Sequence, residues 1–249
     1  MIIIKSSLEI ERMRRAGRFV AEILEVLAEK VRPGVSTQML NELAEAESAK
    51  RKARPAFKGY GGYPYSLCCS PNNGVVHGMP SANELVEGDI ISLDFGLVVD
   101  GFYGDAAVTL PVGRISSEAQ RLLQVTRESL SIGIQHALPG ARLHDVSSAI
   151  QKHVEQNGYS VVRDFVGHGI GAQLHESPQV PNFGRAGTGP VLKPGMVLAI
   201  EPMVNQGVHA IKVLDDGWTA VTADGRLSAH FEHTVAITEC GPEILTRVD

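Results

Sequence analysis

The chain has 249 residues, 43% of them hydrophobic and 20% charged, with 23 basic side chains against 28 acidic ones and a formal net charge of -5. That composition fits a globular enzyme with a substantial core, and without a Lys/Arg cluster it excludes the electrostatic footprint of a DNA-binding protein. Three cysteines, two of them adjacent (Cys68, Cys69), make no disulfide framework and point to a reducing, cytoplasmic setting; Met1 to Ile4 is too short for a signal peptide, and no apolar run approaches the roughly 18 residues of a membrane span.

The first predicted element is an amphipathic helix. Ile10, Met13, Gly17, Val20, Leu24 and Leu27 recur at spacings of three and four and so line one face, and Ser6 with Glu9 reads as a capping box. Val31-Arg32-Pro33-Gly34 breaks the pattern. A second helix follows, with Ser36 or Thr37 as cap and Leu40, Leu43 and Ala44 facing inward. Strands are expected at Ile90–Phe95 and Leu97–Tyr103, with a turn signal at Asp100-Gly101, and at Ala106–Pro111. The helical grammar then returns. Ser117 is the expected cap of a helix carrying Leu122, Leu123, Leu130 and Ile134, Leu138-Pro139-Gly140 breaks it, and Val146, Ile150 and Val154 mark the next. The chain ends in short β runs, Val197–Glu201, Val208–Leu214, Trp218–Thr222 and Thr234–Thr238, separated by Asp215-Asp216-Gly217 and Asp224-Gly225.

The order of elements repeats. The segment Glu87-Gly88-Asp89-Ile90-Ile91-Ser92-Leu93-Asp94 resembles Lys193-Pro194-Gly195-Met196-Val197-Leu198-Ala199-Ile200-Glu201: a turn feeds a β run that ends in a carboxylate. We read one unit of about a hundred residues used twice, roughly 9–112 and 118–240, related by a pseudo-twofold axis. The expected fold class is α+β, with helices outside a curved antiparallel sheet. No Pro/Gly/Ser-rich linker divides the halves, so residues 1–249 are expected to form a single catalytic domain.

Five side chains stand out. Asp94 and Glu201 close the repeated strands, Asp105 lies in Gly-Phe-Tyr-Gly-Asp-Ala-Ala, His168 in Gly-His-Gly-Ile-Gly, and Glu232 in His-Phe-Glu-His-Thr-Val. A carboxylate within an apolar strand is costly unless paired or coordinated. Two like charges about 4 Å apart cost roughly 4 kcal/mol at an effective dielectric of 20, so four converging carboxylates call for cations. Carboxylates with one imidazole suit Mn²⁺, Fe²⁺ or Co²⁺ at least as well as Zn²⁺. Two divalent ions about 3.5–4 Å apart polarise a carbonyl and generate hydroxide near neutral pH, which is the chemistry of hydrolysis.

These residues, in this order, resemble the type I methionine aminopeptidases, the short bacterial form of the pita-bread metallopeptidases. Gly167-His168-Gly169-Ile170-Gly171, His175-Glu176-Ser177-Pro178, Ile200-Glu201-Pro202 and Glu232-His233-Thr234 match in series. The resemblance implies the pita-bread (creatinase/aminopeptidase) fold. Two metals would be held by Asp94, Asp105, His168, Glu201 and Glu232, with Asp105 and Glu232 bridging and Asp94 bidentate on one ion. A hydroxide bridging the metals would remove the initiator methionine from nascent proteins, with a small second residue preferred. His77 would contact the scissile amide nitrogen, His175 the carbonyl oxygen and then the oxyanion, and Glu201 would shuttle the proton. The methionine pocket would be formed by Phe57, Tyr60, Tyr63, Cys68, His77, Leu174 and Trp218, an aromatic and sulfur lining suited to a thioether. Implied partners are the N-terminal peptides of nascent chains, with transient ribosome contact, and the implied state is a monomer.

Three positions depart from the family's usual pattern: Leu174 where some relatives carry an aromatic residue, His230 where many carry Gln, and Asn73 where Glu is frequent. None removes a metal ligand. His136, His144, His153, His209 and His233 have no special warrant and read as surface or packing residues. Rival readings are a same-fold Xaa-Pro peptidase, a type II or creatinase-like relative, and a metal-free binding protein that has lost the chemistry. The Xaa-Pro enzymes tend to carry an extra N-terminal domain and Asp after the last glutamate, whereas the catalytic pattern here begins almost at once and carries Glu232-His233. A metal-free relative would have lost ligands that this chain retains.

Overall fold

Helix α1 (Ser7–Ala28) starts where the sequence provides a cap. The Ser6 hydroxyl accepts from the Glu9 amide while the Glu9 carboxylate accepts from the Ser6 amide, satisfying two orphan donors of the first turn. In the computed structural model, which describes residues 1–248, the chain continues through α2 (Thr37–Lys50), capped by Ser36, into three short strands, β1 (Arg54–Pro55), β2 (Cys68–Pro71) and β3 (Gly74–Val76). Two long strands, β4 (Ile90–Val99) and β5 (Phe102–Pro111), form a hairpin whose Asp100-Gly101 turn has both residues at positive φ, 50° and 82°, as a two-residue connection between twisted strands requires. Helices α3 (Ser117–His136) and α4 (Leu143–Gln156) follow, and α4 has the same 14-residue length as α2.

The remainder is β structure: β6 (Ser160–Val161), β7 (Gly167–Gly169), β8 (Glu176–Val180), β9 (Val197–Ile200), β10 (Met203–Asn205), β11 (Ile211–Val213), β12 (Ala220–Thr222), β13 (Ser228–His230), β14 (Glu232–Thr238) and β15 (Gly241–Ile244). Nine strands form one curled antiparallel sheet in the order β1-β4-β5-β14-β9-β7-β8, with β2 beside β4 and β15 beside β14. Two three-stranded sheets, β13-β10-β6 and β11-β12-β3, flank it.

Alternation divides the large sheet into two faces. Ile91, Leu93, Phe95 and Leu97 of β4 pack with Val20, Ile23 and Leu27 of α1 and Leu40 of α2. Leu198 and Ile200 of β9, with Val235 and Ile237 of β14, pack with Leu122 and Leu130 of α3 and Val146 and Ile150 of α4. Each fully buried aliphatic side chain there contributes about 1.5–3 kcal/mol. The two helix pairs therefore cover the same face, and the opposite face is left to the intervening residues.

Several boundaries differ from expectation, the expected Val208–Leu214 and Trp218–Thr222 runs shrinking to Ile211–Val213 and Ala220–Thr222. Ile90–Phe95 and Leu97–Tyr103 are not separate strands: Gly96 stays in register opposite Asp105, so β4 runs unbroken to the turn. Asp94 thus lies mid-strand rather than at a strand end. The cap of α3 is Ser116, whose hydroxyl accepts from Ala119 at 3.1 Å, and Ser117 is the first helical residue. Sequence periodicity also passes over β1, β3, β6, β7, β10 and β13, which at two or three residues are too short to alternate visibly.

Candidate metal centre

Residues opposed in an antiparallel ladder share a face, and residues two apart on one strand return to it. Ala107 of β5 opposes Asp94 of β4 on one side and Glu232 of β14 on the other. Asp105 is two residues from Ala107. On the other flank His168 opposes Ala199, which opposes Thr234, two residues from Glu232. Asp94, Asp105, His168 and Glu232 therefore project from the face the helices leave uncovered. Glu201, two residues beyond Ala199, joins them as β9 ends.

The approach is close enough to dictate glycine. A Cβ on Gly96 would lie 2.9 Å from a Phe57 ring carbon and 3.2 Å from Asp105 Oδ1. On Gly167 it would lie 2.3 Å from the Ala199 carbonyl oxygen, and on Gly169 2.3 Å from that of Ser177. The glycines bracketing His168 thus let β7 nest between its neighbours while only the imidazole projects.

Local hydrogen bonds fix the donors. Thr234 Oγ1 accepts from the Asp105 amide at 3.0 Å and donates to the Asp105 carbonyl at 2.8 Å. The Asn182 side-chain amide donates to the Glu201 carbonyl at 3.0 Å. His168 Nδ1 lies 2.8 Å from the Gly169 carbonyl, which places the ring proton there and leaves Nε2 as a lone-pair donor, 3.6 Å from Glu201 Oε1. Asp105, His168 and Glu232 offer ligand atoms all within 4.8 Å of one another, and so do Glu201, His230 and Glu232; the two triads share Glu232.

Asp94 Oδ1, Asp105 Oδ1 and Glu232 Oε1 are buried with no hydrogen-bond partner among the described residues. Burial pushes Asp94 up to about 7 and Glu201 up to about 8. It raises Asp105 and Glu232 well above the usual carboxylate range, and the neighbouring carboxylates add to the rise in both. Burial also drives His168 down to about 3. Anionic oxygens that lack donors, beside imidazoles held neutral, fit divalent cations; without positive charge such groups keep their protons.

All thirteen residues singled out from the sequence line one cavity of about 150 Å³. Phe57 and Cys68 form part of its buried wall with Leu174, and Tyr63 stands edge-on to Trp218 with ring centres 5.2 Å apart. The Tyr63 hydroxyl donates to the Gly78 carbonyl at 2.9 Å, fixing the turn after His77. His77 has φ of 59°, an uncommon left-handed conformation for a non-glycine residue, and burial lowers its ring to about 4. His175 stands at the exposed rim, 2.7 Å from the Tyr60 hydroxyl and edge-on to His168 at 4.3 Å. Such desolvation as its ring has lowers its pKa.

A larger groove, about 990 Å³, opens between α1 and α3, but the unpartnered carboxylate oxygens converge in the smaller cavity. Sequence reasoning treated His230 only as a departure. The structure gives it a place among the donors, and the His-x-Glu spacing in an extended run was the available signal. The other five histidines lie outside the cavity, His233 packing Nδ1 against the Thr246 hydroxyl at 2.9 Å.

Residues 11–239 match the model of metallopeptidase family M24. A methionine aminopeptidase of Clostridium perfringens is 57% identical over 248 residues, covering 100% of both chains. The crystal structure of a methionine aminopeptidase from Thermotoga maritima superposes with a TM-score of 0.98 at 51% identity, again over 100% of both chains. A prolidase from Pyrococcus horikoshii shares the fold alone, with a TM-score of 0.81 at 22% identity over 100% of this chain and 65% of its own.

Proposed function

The chain belongs to metallopeptidase family M24, among its methionine aminopeptidases, and from that premise we propose that Asp94, Asp105, His168, Glu201 and Glu232 would hold two divalent cations, with Glu232 common to both groups of candidate ligand atoms. The enzyme is a metal-dependent aminopeptidase that removes the N-terminal methionine from peptide substrates. The observation that carries the site assignment is the meeting of these five side chains around buried carboxylate oxygens that have no partner among the described residues.

When bound, the cations supply a polarised scissile carbonyl and a water acidified toward a pKa of about 7. Glu201 stands where the sheet opens toward the cavity and would hold a proton there and pass it toward the leaving amine. His77 meets the scissile amide nitrogen from a ring that burial keeps neutral. With the Tyr60 hydroxyl donating to Nδ1, the His175 ring proton sits on Nε2, which donates to the substrate carbonyl and holds the developing oxyanion. Phe57, Tyr60, Tyr63, Cys68, Leu174 and Trp218 enclose the methionine side chain, each thioether–aromatic contact contributing about 0.3–1.5 kcal/mol. The substrates are N termini of nascent proteins with a small second residue. They are met in the cytoplasm during transient ribosome contact by a monomeric enzyme using Mn²⁺, Fe²⁺, Co²⁺ or Zn²⁺.

The test is a protein stripped by chelation, reloaded separately with each of these four metals and assayed on Met-Gly-X, Met-Ala-X, Met-Arg-X and X-Pro peptides. Metal-restored release of methionine, selective for Gly and Ala at the second position, is expected. Activity that survives exhaustive chelation removes the metal from the reading, and equal turnover of Met-Ala-X and Met-Arg-X removes the small-residue preference.

A further inference from the structure

One buried imidazole is left unused by the five-ligand centre. His230 ends β13, and Phe231 leads straight into β14, so His230 and Glu232 stand two residues apart on extended chain and face the same way. The His230 backbone is engaged on both sides: its amide donates to Thr109 Oγ1 at 2.8 Å and its carbonyl accepts from that hydroxyl at 2.8 Å. The side chain is different. It is 1% exposed, and neither ring nitrogen has a hydrogen-bond partner among the described residues. Nε2 lies 3.6 Å from Glu201 Oε2, and His230, Glu201 and Glu232 each present a ligand atom within 4.8 Å of the other two. A ring sealed from water with both nitrogens idle is unfavourable unless a further group at the site engages it.

We propose that His230 is a sixth side chain of the metal centre, a second imidazole ligating the cation that Glu201 and Glu232 hold between them. The inference rests on the metal-centre reading above. A neutral donor adds a bond without adding to the mutual repulsion of the four carboxylates. Imidazole also favours the later transition metals, whereas carboxylates alone suit Mn²⁺. His230 therefore biases the centre toward Co²⁺, Fe²⁺ or Zn²⁺ over Mn²⁺.

The test uses the intact wild-type protein with ¹⁵N-labelled histidine, loaded with Co²⁺ and observed by proton NMR for strongly hyperfine-shifted, exchangeable ring N–H signals. Two ligating rings are expected, His168 and His230, and His230→Gln should keep only the first. By calorimetry with the metal alone, His230→Gln should weaken Co²⁺ binding about 10–100-fold and Mn²⁺ binding less. A single ligating ring in wild-type protein that still binds Co²⁺ overturns the role of His230 and leaves the five-residue centre standing. Failure to bind Co²⁺ at all overturns both.

Discussion

His175 and His168 pack edge to face, 4.3 Å between ring centres, yet their environments differ and suit them to opposite work. His168 is buried with Nδ1 tied to its own strand, so its remaining nitrogen is a lone-pair donor suited to a cation. His175 is open at the rim and held through Nδ1 by Tyr60, which leaves Nε2 free for the proposed bond to the substrate carbonyl. Replacing His175 with Ala should lower kcat about 10²–10³-fold, the usual cost of losing one oxyanion donor, with unchanged metal content by mass spectrometry. Metal lost together with activity would place His175 in the wrong role. Glu232→Ala should behave oppositely, losing metal and activity together, because Glu232 belongs to both ligand triads.

At the scale of the element, the segment that presents Leu174 and His175 is fastened from the far end of the chain. Lys5 Nζ lies 2.6 Å from Glu176 Oε2 with both side chains nearly sealed, 2% and 3% exposed, while the Lys5 amide donates to the Gly195 carbonyl at 2.7 Å. Glu176 Oε1 also accepts from the Gln173 amide at 3.2 Å, closing the loop that leads into β8. Lys5→Met leaves a buried carboxylate alone and should cost about 3 kcal/mol in chemical denaturation, most of it recovered in the double variant Lys5→Met/Glu176→Gln. Equal losses in the single and double variants would mean the pair contributes through packing and not through charge.

Across the whole molecule, the fold stores like charges on one face of the sheet and hydrocarbon on the other. Asp94, Asp105, Glu201 and Glu232 are all raised, Asp94 to about 7 and Glu201 to about 8, chiefly by burial. A group whose folded pKa exceeds its unfolded value, about 4 for these carboxyls, stabilises the fold below the unfolded pKa and loses that contribution as pH rises through the folded one. Metal-free protein should accordingly lose thermal stability between about pH 4 and 8. Metal-loaded protein should not, since the cations hold the carboxylates ionised. Calorimetric scans of chelated and loaded samples across that range check this, and superimposable pH profiles would rule it out.

Much of this was legible in the order of residues. The Ser6–Glu9 box, the helical spacing from Ile10 to Leu27 and the Pro-Gly breaks are local signals, and local hydrogen bonding and periodicity decide such elements. The likeness of the two halves also lies in the sequence, as do the five polar residues set into apolar β runs. What it could not show is which strand lies beside which. Asp94 and Glu232 come together because Ala107 is the ladder partner of both, and that register is set by packing the hydrophobic face against four helices. The same non-local register carries β4 unbroken through Gly96 and brings His230 beside Glu201. A residue's own neighbours in the chain determine its conformation, but its partners across a sheet are chosen only when the whole apolar face is buried at once.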